Sequence, residues 1–260
     1  MKPILINIFG LPIHSYGFML AVGFFVGIFI AKREAKKNQV SENDILDLSL
    51  WVMLGGIIGA RILYVLLNLS EFSNDIASII LPRAGGIGGL SFHGGIIGGL
   101  LGGYLFTKRR KLNFYFLADI LAPSLAIGLM FGRIGCFLNG CCYGKICKLA
   151  IGVKFPELTG HRHPTQIYEA QAALVIFILL NYLKKFKKFK GELFLYFLIL
   201  YSIARGIIEI FRAGVTGKYL IYPLTQAQVL SIIVIAVSLV IIFLKRRNDY
   251  PDKTEKRGHK

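Results

Sequence analysis

The chain has 260 residues, 55% of them hydrophobic and only 17% charged, with a formal net charge of +17. A soluble domain carries about 25% charged residues, so this composition, with a mean hydropathy of +0.60, excludes an ordinary soluble protein and points to a membrane one. The basic residues fall in short blocks between apolar stretches, which fits topology signals and anionic lipid head groups, and no nucleic-acid partner is expected.

The N-terminal MKPILINIFGLPIHSYG has one lysine and no clear cleavage site before a full-length apolar segment. That segment therefore reads as a retained span, with residues 1–13 as a short amphipathic stretch in the interface. A helix needs roughly 20 mostly apolar residues to cross a bilayer. Seven stretches qualify: 15–31, 45–68, 87–106, 116–138, 166–183, 192–211 and 223–244. Spans of this length read as helices, not as alternating barrel strands. KREAKK follows the first span, KRRK the third, KKFKKFK the fifth and KRR the seventh, whereas the loops between are sparse in basic residues. The positive-inside rule then places the N-terminus outside and the C-terminus in the cytoplasm, which requires an odd number of spans. The predicted fold is an all-α polytopic membrane helix bundle of seven transmembrane helices with a small outer-side loop region. Its outer loops are 69–86, 139–165 and 212–222, of which 139–165 is the main extramembrane element. One integral-membrane domain covers residues 1–247, and the polar tail 248–260 is expected to be disordered.

Ionisable residues inside spans are costly and usually face a cavity or a partner. Arg61, Arg133, Arg205, Glu209 and His93 stand in that position. The glycines of GGLSFHGGIIGGLLGG (88–103) repeat at four-residue spacing and read as close helix packing. His93, within that stretch, reads from its spacing as a hydrogen-bonded structural residue before a general base. Tyr201, Arg205 and Glu209 are spaced i, i+4 and i+8, with Arg212 three further on, so they form one polar stripe on a helix. Its simplest reading is an internal Arg205–Glu209 ion pair. Arg133, Cys136 and Asn139 share a face in the fourth span, as do Arg61, Tyr64 and Asn68 in the second. Only Glu209 is a carboxylate at depth; Asp47, Asp119 and Glu169 stand near span starts. Guanidiniums in excess of carboxylates ask for an anion, and arginine suits bidentate phosphate binding. The residues thus predict a lipid-phosphate cavity opening at the Arg133 end of the fourth span.

IHSYG, GARILY, GGLSFHGG, GRIGCFLNG, RHPTQIYEA, YSIARGIIEIFR and LTQAQVLS occur in this order over most of the chain. Together they resemble the bacterial prolipoprotein diacylglyceryl transferase family. The resemblance implies an enzyme of the bacterial cytoplasmic (inner) membrane, surrounded by membrane lipids, with phosphatidylglycerol and the lipobox of a prolipoprotein signal peptide as partners. The diacylglyceryl group moves to the lipobox thiol, a thioether forms and glycerol 1-phosphate leaves, with no metal or redox cofactor. It also implies site roles. His93 is a base or positioning group, Arg133 holds the head-group phosphate, and Arg205 engages the leaving phosphate or gates access. Tyr201 lies near the site, and Tyr16, Asn139 and Gly144 occupy signature positions for binding substrate. Arg61 and Glu209 support them. The residues alone leave open a lipid or small-anion transporter and a non-catalytic lipid-binding scaffold.

The chain departs from the expected family pattern where GNFxNGE would stand, since it reads GCFLNGC. Cys136, Cys141, Cys142 and Cys147 show no C-x-x-C pair. They read first as small apolar fillers, second as a disulfide (Cys141–Cys147 or Cys136–Cys142) and third as a metal site.

Overall fold

A computed structural model describes residues 1–8, 11–72, 89–156, 158–213, 219–221 and 223–248. Among these residues eight α-helices follow one another: α1 (Ser15–Lys37), α2 (Glu42–Leu67), the one-turn α3 (Leu69–Phe72), α4 (Phe92–Arg110), α5 (Phe114–Asn139), α6 (Thr165–Leu183), α7 (Glu192–Ile208) and α8 (Gln226–Asn248). Three small antiparallel pairs join them: β1 (Ile4–Ile8) with β2 (Leu11–His14), β3 (Val153–Lys154) with β4 (His161–Arg162), and β5 (Tyr219–Ile221) with β6 (Leu224–Thr225).

Among the described residues, six helices are long and apolar enough to cross a membrane: 15–37, 42–67, 114–139, 165–186, 192–211 and 226–247. The architecture is that of an all-helical, multi-pass membrane protein. The remaining predicted span, 87–106, corresponds to α4, which is 19 residues long and diluted by glycines. Residues 4–14, read from sequence as part of an amphipathic interfacial stretch, form the β1–β2 hairpin instead. Pro3 and Pro12 remove backbone donors that a helix would use. The hairpin is closed by Ser15 N–H donating to the Pro3 carbonyl at 2.8 Å, while Lys2 N–H donates to the Leu138 carbonyl at 3.0 Å. Most of the expected 69–86 loop and the tail beyond Asn248 lie outside the described residues.

The chain divides into two compact units, residues 1–31 with 118–260, and residues 32–117. In the second unit, α2 and α4 meet backbone to backbone. A Cβ on Gly98 would lie 2.2 Å from the Gly55 carbonyl oxygen, and one on Gly59 would lie 2.5 Å from that of Gly94. No side chain fits there, so the four-residue glycine spacing is the packing surface it predicted. Arg110 closes the far end on Asp47 at 2.8 Å.

In the first unit, Ala122 and Ala126 of α5 pack against Ile176 and Leu180 of α6 and Leu193 and Phe197 of α7. One end of these helices is held by two carboxylates. Asp119 accepts from Gly191 N–H (2.8 Å) and Phe194 N–H (3.0 Å), capping the start of α7, and pairs with Lys187 at 3.2 Å. Glu192 accepts from Lys188 N–H (2.5 Å), the Tyr196 hydroxyl (2.9 Å) and Arg246 Nε (2.7 Å). Leu230, Ile233, Val237, Val240 and Leu244 of α8 are left exposed, as a lipid-facing surface requires.

A buried arginine cluster at the ends of three helices

The chain direction alternates through α5, α6 and α7, so the end of α5, the start of α6 and the end of α7 come together opposite the Asp119 end. The centre of this region is Glu169, in the second turn of α6 and 6% exposed. Arg133 Nε of α5 pairs with Glu169 Oε2. Arg212 Nη1 donates to Glu169 Oε1 at 2.6 Å, and Arg205 Nη1 lies 3.6 Å from the same oxygen. Arg205 also pairs with Glu209, one turn on, as the i, i+4 spacing predicted. Three guanidiniums thus face two carboxylates, leaving one positive charge in excess. Glu169 Oε2, Arg205 Nη1 and both Glu209 oxygens are buried without an aligned hydrogen bond. Burying an ion costs several kcal/mol unless partners and hydrogen bonds compensate it. The cluster is thus buried, net cationic by one charge and incompletely hydrogen-bonded.

The loop after α5 closes over this cluster. Gly140, at φ +78°, turns the chain out of α5. Thr165 Oγ1 donates to the Cys142 carbonyl at 2.8 Å and Gln166 Nε2 to that of Cys141 at 2.5 Å, so the start of α6 fixes the turn. Gly144 N–H donates to the His163 carbonyl at 2.8 Å, and Lys145 N–H to that of Phe211 at 2.8 Å. A Cβ on Gly144 would lie 2.5 Å from the Phe211 carbonyl oxygen and 2.7 Å from His163 Cβ, so only glycine fits where these three segments cross. His163 packs on Phe211, with ring centroids 5.1 Å apart, and its Nδ1 lies 3.2 Å from the Tyr168 hydroxyl. Arg162 stacks over Tyr143 at 5.3 Å.

Of the residues expected at the site, Arg205 pairs with Glu209, Arg133 joins Arg205 through their shared partner Glu169, and Gly144 bridges to Arg212. Tyr16 packs where α1 crosses α5 and is within electrostatic reach of Arg133, Cys136 and Cys141. Asn139 is the last residue of α5 and is exposed, two residues before Cys141. Tyr201 stacks on Phe197 (6.1 Å, 16°), one turn before Arg205. His93 and Arg61 belong to the second unit. There His93 is exposed at the second position of α4, its ring edge-on to Phe92 at 5.9 Å. Arg61 donates to the Gly89 carbonyl at 3.1 Å and covers the Phe72 ring at 5.3 Å.

Two members of the cluster were not expected. Glu169 was read as standing near a span start and thus shallow, and Arg212 as the tail of a stripe. The start of α6 is buried because the 139–165 loop folds onto it. The signal that was available is charge balance, since a carboxylate is needed among several buried arginines.

All four cysteines are free. The Sγ atoms of Cys136, Cys141 and Cys142 lie within 4.8 Å of one another. Hydrogen bonds from Cys136 and Cys141, with the Arg212 and Arg133 guanidiniums beyond, hold the Cys142 thiol below its ordinary pKa. Cys147 is buried apart from them, its thiol directed at the Leu149 carbonyl at 3.9 Å.

A multi-pass helical membrane protein with a buried, net-cationic arginine cluster at one end of its helices belongs to a class that handles anionic, membrane-borne groups. The particular family follows from comparison with known proteins. The family model for prolipoprotein diacylglyceryl transferase matches residues 3–244. Similar proteins include the phosphatidylglycerol–prolipoprotein diacylglyceryl transferase of Clostridium tetani (strain Massachusetts / E88), 34% identical over 252 residues covering 95% of this chain and 98% of the relative. That of Clostridioides difficile (strain 630) is 35% identical over 249 residues, covering 95% and 97%. That of Rickettsia bellii (strain OSU 85-389) is 38% identical over 253 residues, covering 93% and 94%. The chain belongs to the prolipoprotein diacylglyceryl transferase family, and it is a transferase.

Proposed function

We infer that this chain transfers the diacylglyceryl group of phosphatidylglycerol to the thiol of a prolipoprotein lipobox cysteine, the first step of lipoprotein maturation. The observation that carries the reading is the match of residues 3–244 to the family, with Arg133, Arg205 and Arg212 gathered on Glu169. The relatives' names supply the two substrates, and the excess positive charge supplies a reason for the first. A lipid phosphate placed against Arg133 and Arg205 meets the one positive charge that the two carboxylates leave uncompensated. The lipobox thiol attacks the glyceryl carbon as a thiolate, and the carbon–oxygen bond to the phosphate breaks. Charge grows on the departing phosphate, and preorganised guanidiniums stabilise it more than they stabilise the bound lipid. His93 is assigned as the base or positioning group for the thiol. Tyr201 is assigned to the catalytic group beside Arg205; Tyr16, Asn139 and Gly144 to substrate binding; and Arg61 and Glu209 to its support.

The same reading carries the topology. Seven spans form one catalytic domain over residues 1–247, with the N-terminus outside and the arginine end on the outer face of the bacterial inner membrane. A lipobox cysteine reaches that face at the end of its signal segment.

The test uses purified full-length protein in detergent with phosphatidylglycerol and a lipobox peptide. A diacylglyceryl mass gain on the peptide cysteine is expected, absent when serine replaces it. Lipid binding or movement without that product overturns the transferase reading in favour of a transporter or scaffold. Phosphatidylethanolamine in place of phosphatidylglycerol reads head-group choice.

A further inference from the structure

The transfer reaction leaves unused the three thiols packed beside the arginine cluster. Cys136 lies one turn past Arg133 on α5 and is buried, while Cys141 and Cys142 are half-buried on the turn that follows. Their sulfurs all lie within 4.8 Å of one another. A disulfide joins sulfurs about 2.05 Å apart, so rotation of two side chains closes the widest gap in the group. Consecutive Cα atoms stand about 3.8 Å apart, below the roughly 4.4–6.8 Å that a disulfide favours, so Cys141 and Cys142 suit each other poorly. Cys136 is the partner within reach. Of the two thiols on the turn, Cys142 is the activated one: hydrogen bonds from Cys136 and Cys141, with the Arg212 and Arg133 guanidiniums beyond, favour its thiolate. The thiolate is the nucleophilic form. The backbone already holds this arrangement. Cys142 has φ +64°, a left-handed conformation unusual for a residue with a side chain. The carbonyls of Cys141 and Cys142 are pinned by Gln166 and Thr165, and Cys141 N–H donates to the Cys136 carbonyl at 3.1 Å. Backbone strain of this kind, held by its surroundings, clusters at functional and switch regions. A partly accessible, activated thiol with a resolving cysteine beside it is the arrangement that redox-sensing proteins use.

We propose that Cys142 is a site of oxidation by hydroperoxides, resolved by Cys136 into a reversible disulfide across the turn that follows α5. In the first step the Cys142 thiolate attacks one peroxide oxygen and the oxygen–oxygen bond breaks. The departing hydroxide takes up the proton that the thiol had released and becomes water, and Cys142 is left as a sulfenic acid. The Cys136 sulfur then attacks the sulfenic sulfur. The sulfur–oxygen bond breaks, and the hydroxyl leaves as water with the Cys136 proton. The two thiols are oxidised together to one disulfide, and the peroxide is reduced to water. A dithiol reductant reverses the link by thiol–disulfide exchange. The link spans Asn139 and Gly140, removes the Cys142 thiolate charge from beside Arg212 and Arg133, and draws the turn toward α5. It therefore slows transfer, a consequence that rests on the transferase reading, whereas the oxidation itself does not.

The experiment takes reduced, desalted full-length protein in detergent and treats it with a stoichiometric amount of hydrogen peroxide. Thiols are then counted with maleimide after denaturation, and the linked peptides are mapped by mass spectrometry. Wild-type protein, with 4 cysteines, should lose two thiols to a Cys136–Cys142 link within one chain and regain them with dithiothreitol. Cys142→Ser should lose none. Cys147→Ser should still lose two, because Cys147 is buried apart from the group with its thiol directed at the Leu149 carbonyl. An unchanged thiol count in wild-type protein, a link that omits Cys142, or a link between chains overturns the site. The initial rate of diacylglyceryl transfer to a lipobox peptide, measured after the peroxide is removed, should fall in the oxidised protein and recover with dithiothreitol, and peroxide should leave the rate of Cys142→Ser unchanged. Equal rates for the reduced and the linked protein overturn the effect on transfer. Absence of transfer from the reduced protein overturns the transferase reading instead, and the thiol count still decides the oxidation site.

Discussion

The two ends of the α5–α6–α7 layer are both built from buried carboxylates and cations, yet they differ in how completely they are satisfied. At one end Asp119 and Glu192 meet Lys187 and Arg246, the formal charges cancel, and each carboxylate accepts several hydrogen bonds between 2.5 and 3.4 Å. At the other end Glu169 and Glu209 face three arginines, the charges do not cancel, and four polar atoms of these residues lack an aligned partner. The first end is finished by the protein itself and reads as structure. The second keeps one positive charge in excess and leaves those atoms short of partners. Charge inside a membrane is therefore informative about function only together with its hydrogen-bond balance.

Five substitutions press on this contrast. Arg133→Ala or Arg205→Ala should lower transfer by about 100- to 1,000-fold, the range for losing one preorganised donor to a developing anion. Wild-type rates in both variants, measured by peptide mass gain, would remove the phosphate role. Gly144→Val should follow, because its side chain collides with the Phe211 carbonyl and His163. The expected loss is about 2–4 kcal/mol of stability, in the overpacking range and above, read as a lowered unfolding midpoint in detergent. Glu192→Gln, at the satisfied end, should cost about 1–3 kcal/mol of stability and leave the turnover of folded enzyme unchanged; a selective loss of turnover would erase the distinction between the ends. Tyr168→Phe removes only the hydroxyl beside His163 and should cost about 1 kcal/mol or less, with transfer retained.

Much of this was legible in the sequence, for physical reasons that vary by element. Long apolar runs located six of the spans, because a membrane helix must be apolar along its whole length. Their ends ran further than expected. α1 continues to Lys37 and α4 to Arg110, since lysine and arginine extend a helix well and favour its C-terminal end. The Arg205–Glu209 pair followed from helical spacing alone. Glu169 did not, because its burial comes from a loop folding back onto α6. Nor did the proximity of the three thiols, which depends on positive φ at Gly140 and Cys142. Spacing arguments work along an element and fail across a turn whose geometry they do not contain. The β1–β2 hairpin escaped for a related reason, as its pairing is set by contacts with Ser15 and Leu138.

That hairpin has a practical consequence for anyone handling the protein. Lys2 is tied to the Leu138 carbonyl, and the Met1 side chain approaches Gly140, where an added Cβ would lie 3.4 Å from it. A purification tag fused ahead of Met1 would thus emerge beside Gly140, at the end of α5 that carries Arg133. The other end of the described chain, Asn248, follows Arg246 in α8, and Arg246 pairs with Glu192 at the satisfied end. Where an affinity handle is attached thus becomes an experimental variable, and preparations differing only in that choice should be compared before any rate is assigned to the native chain.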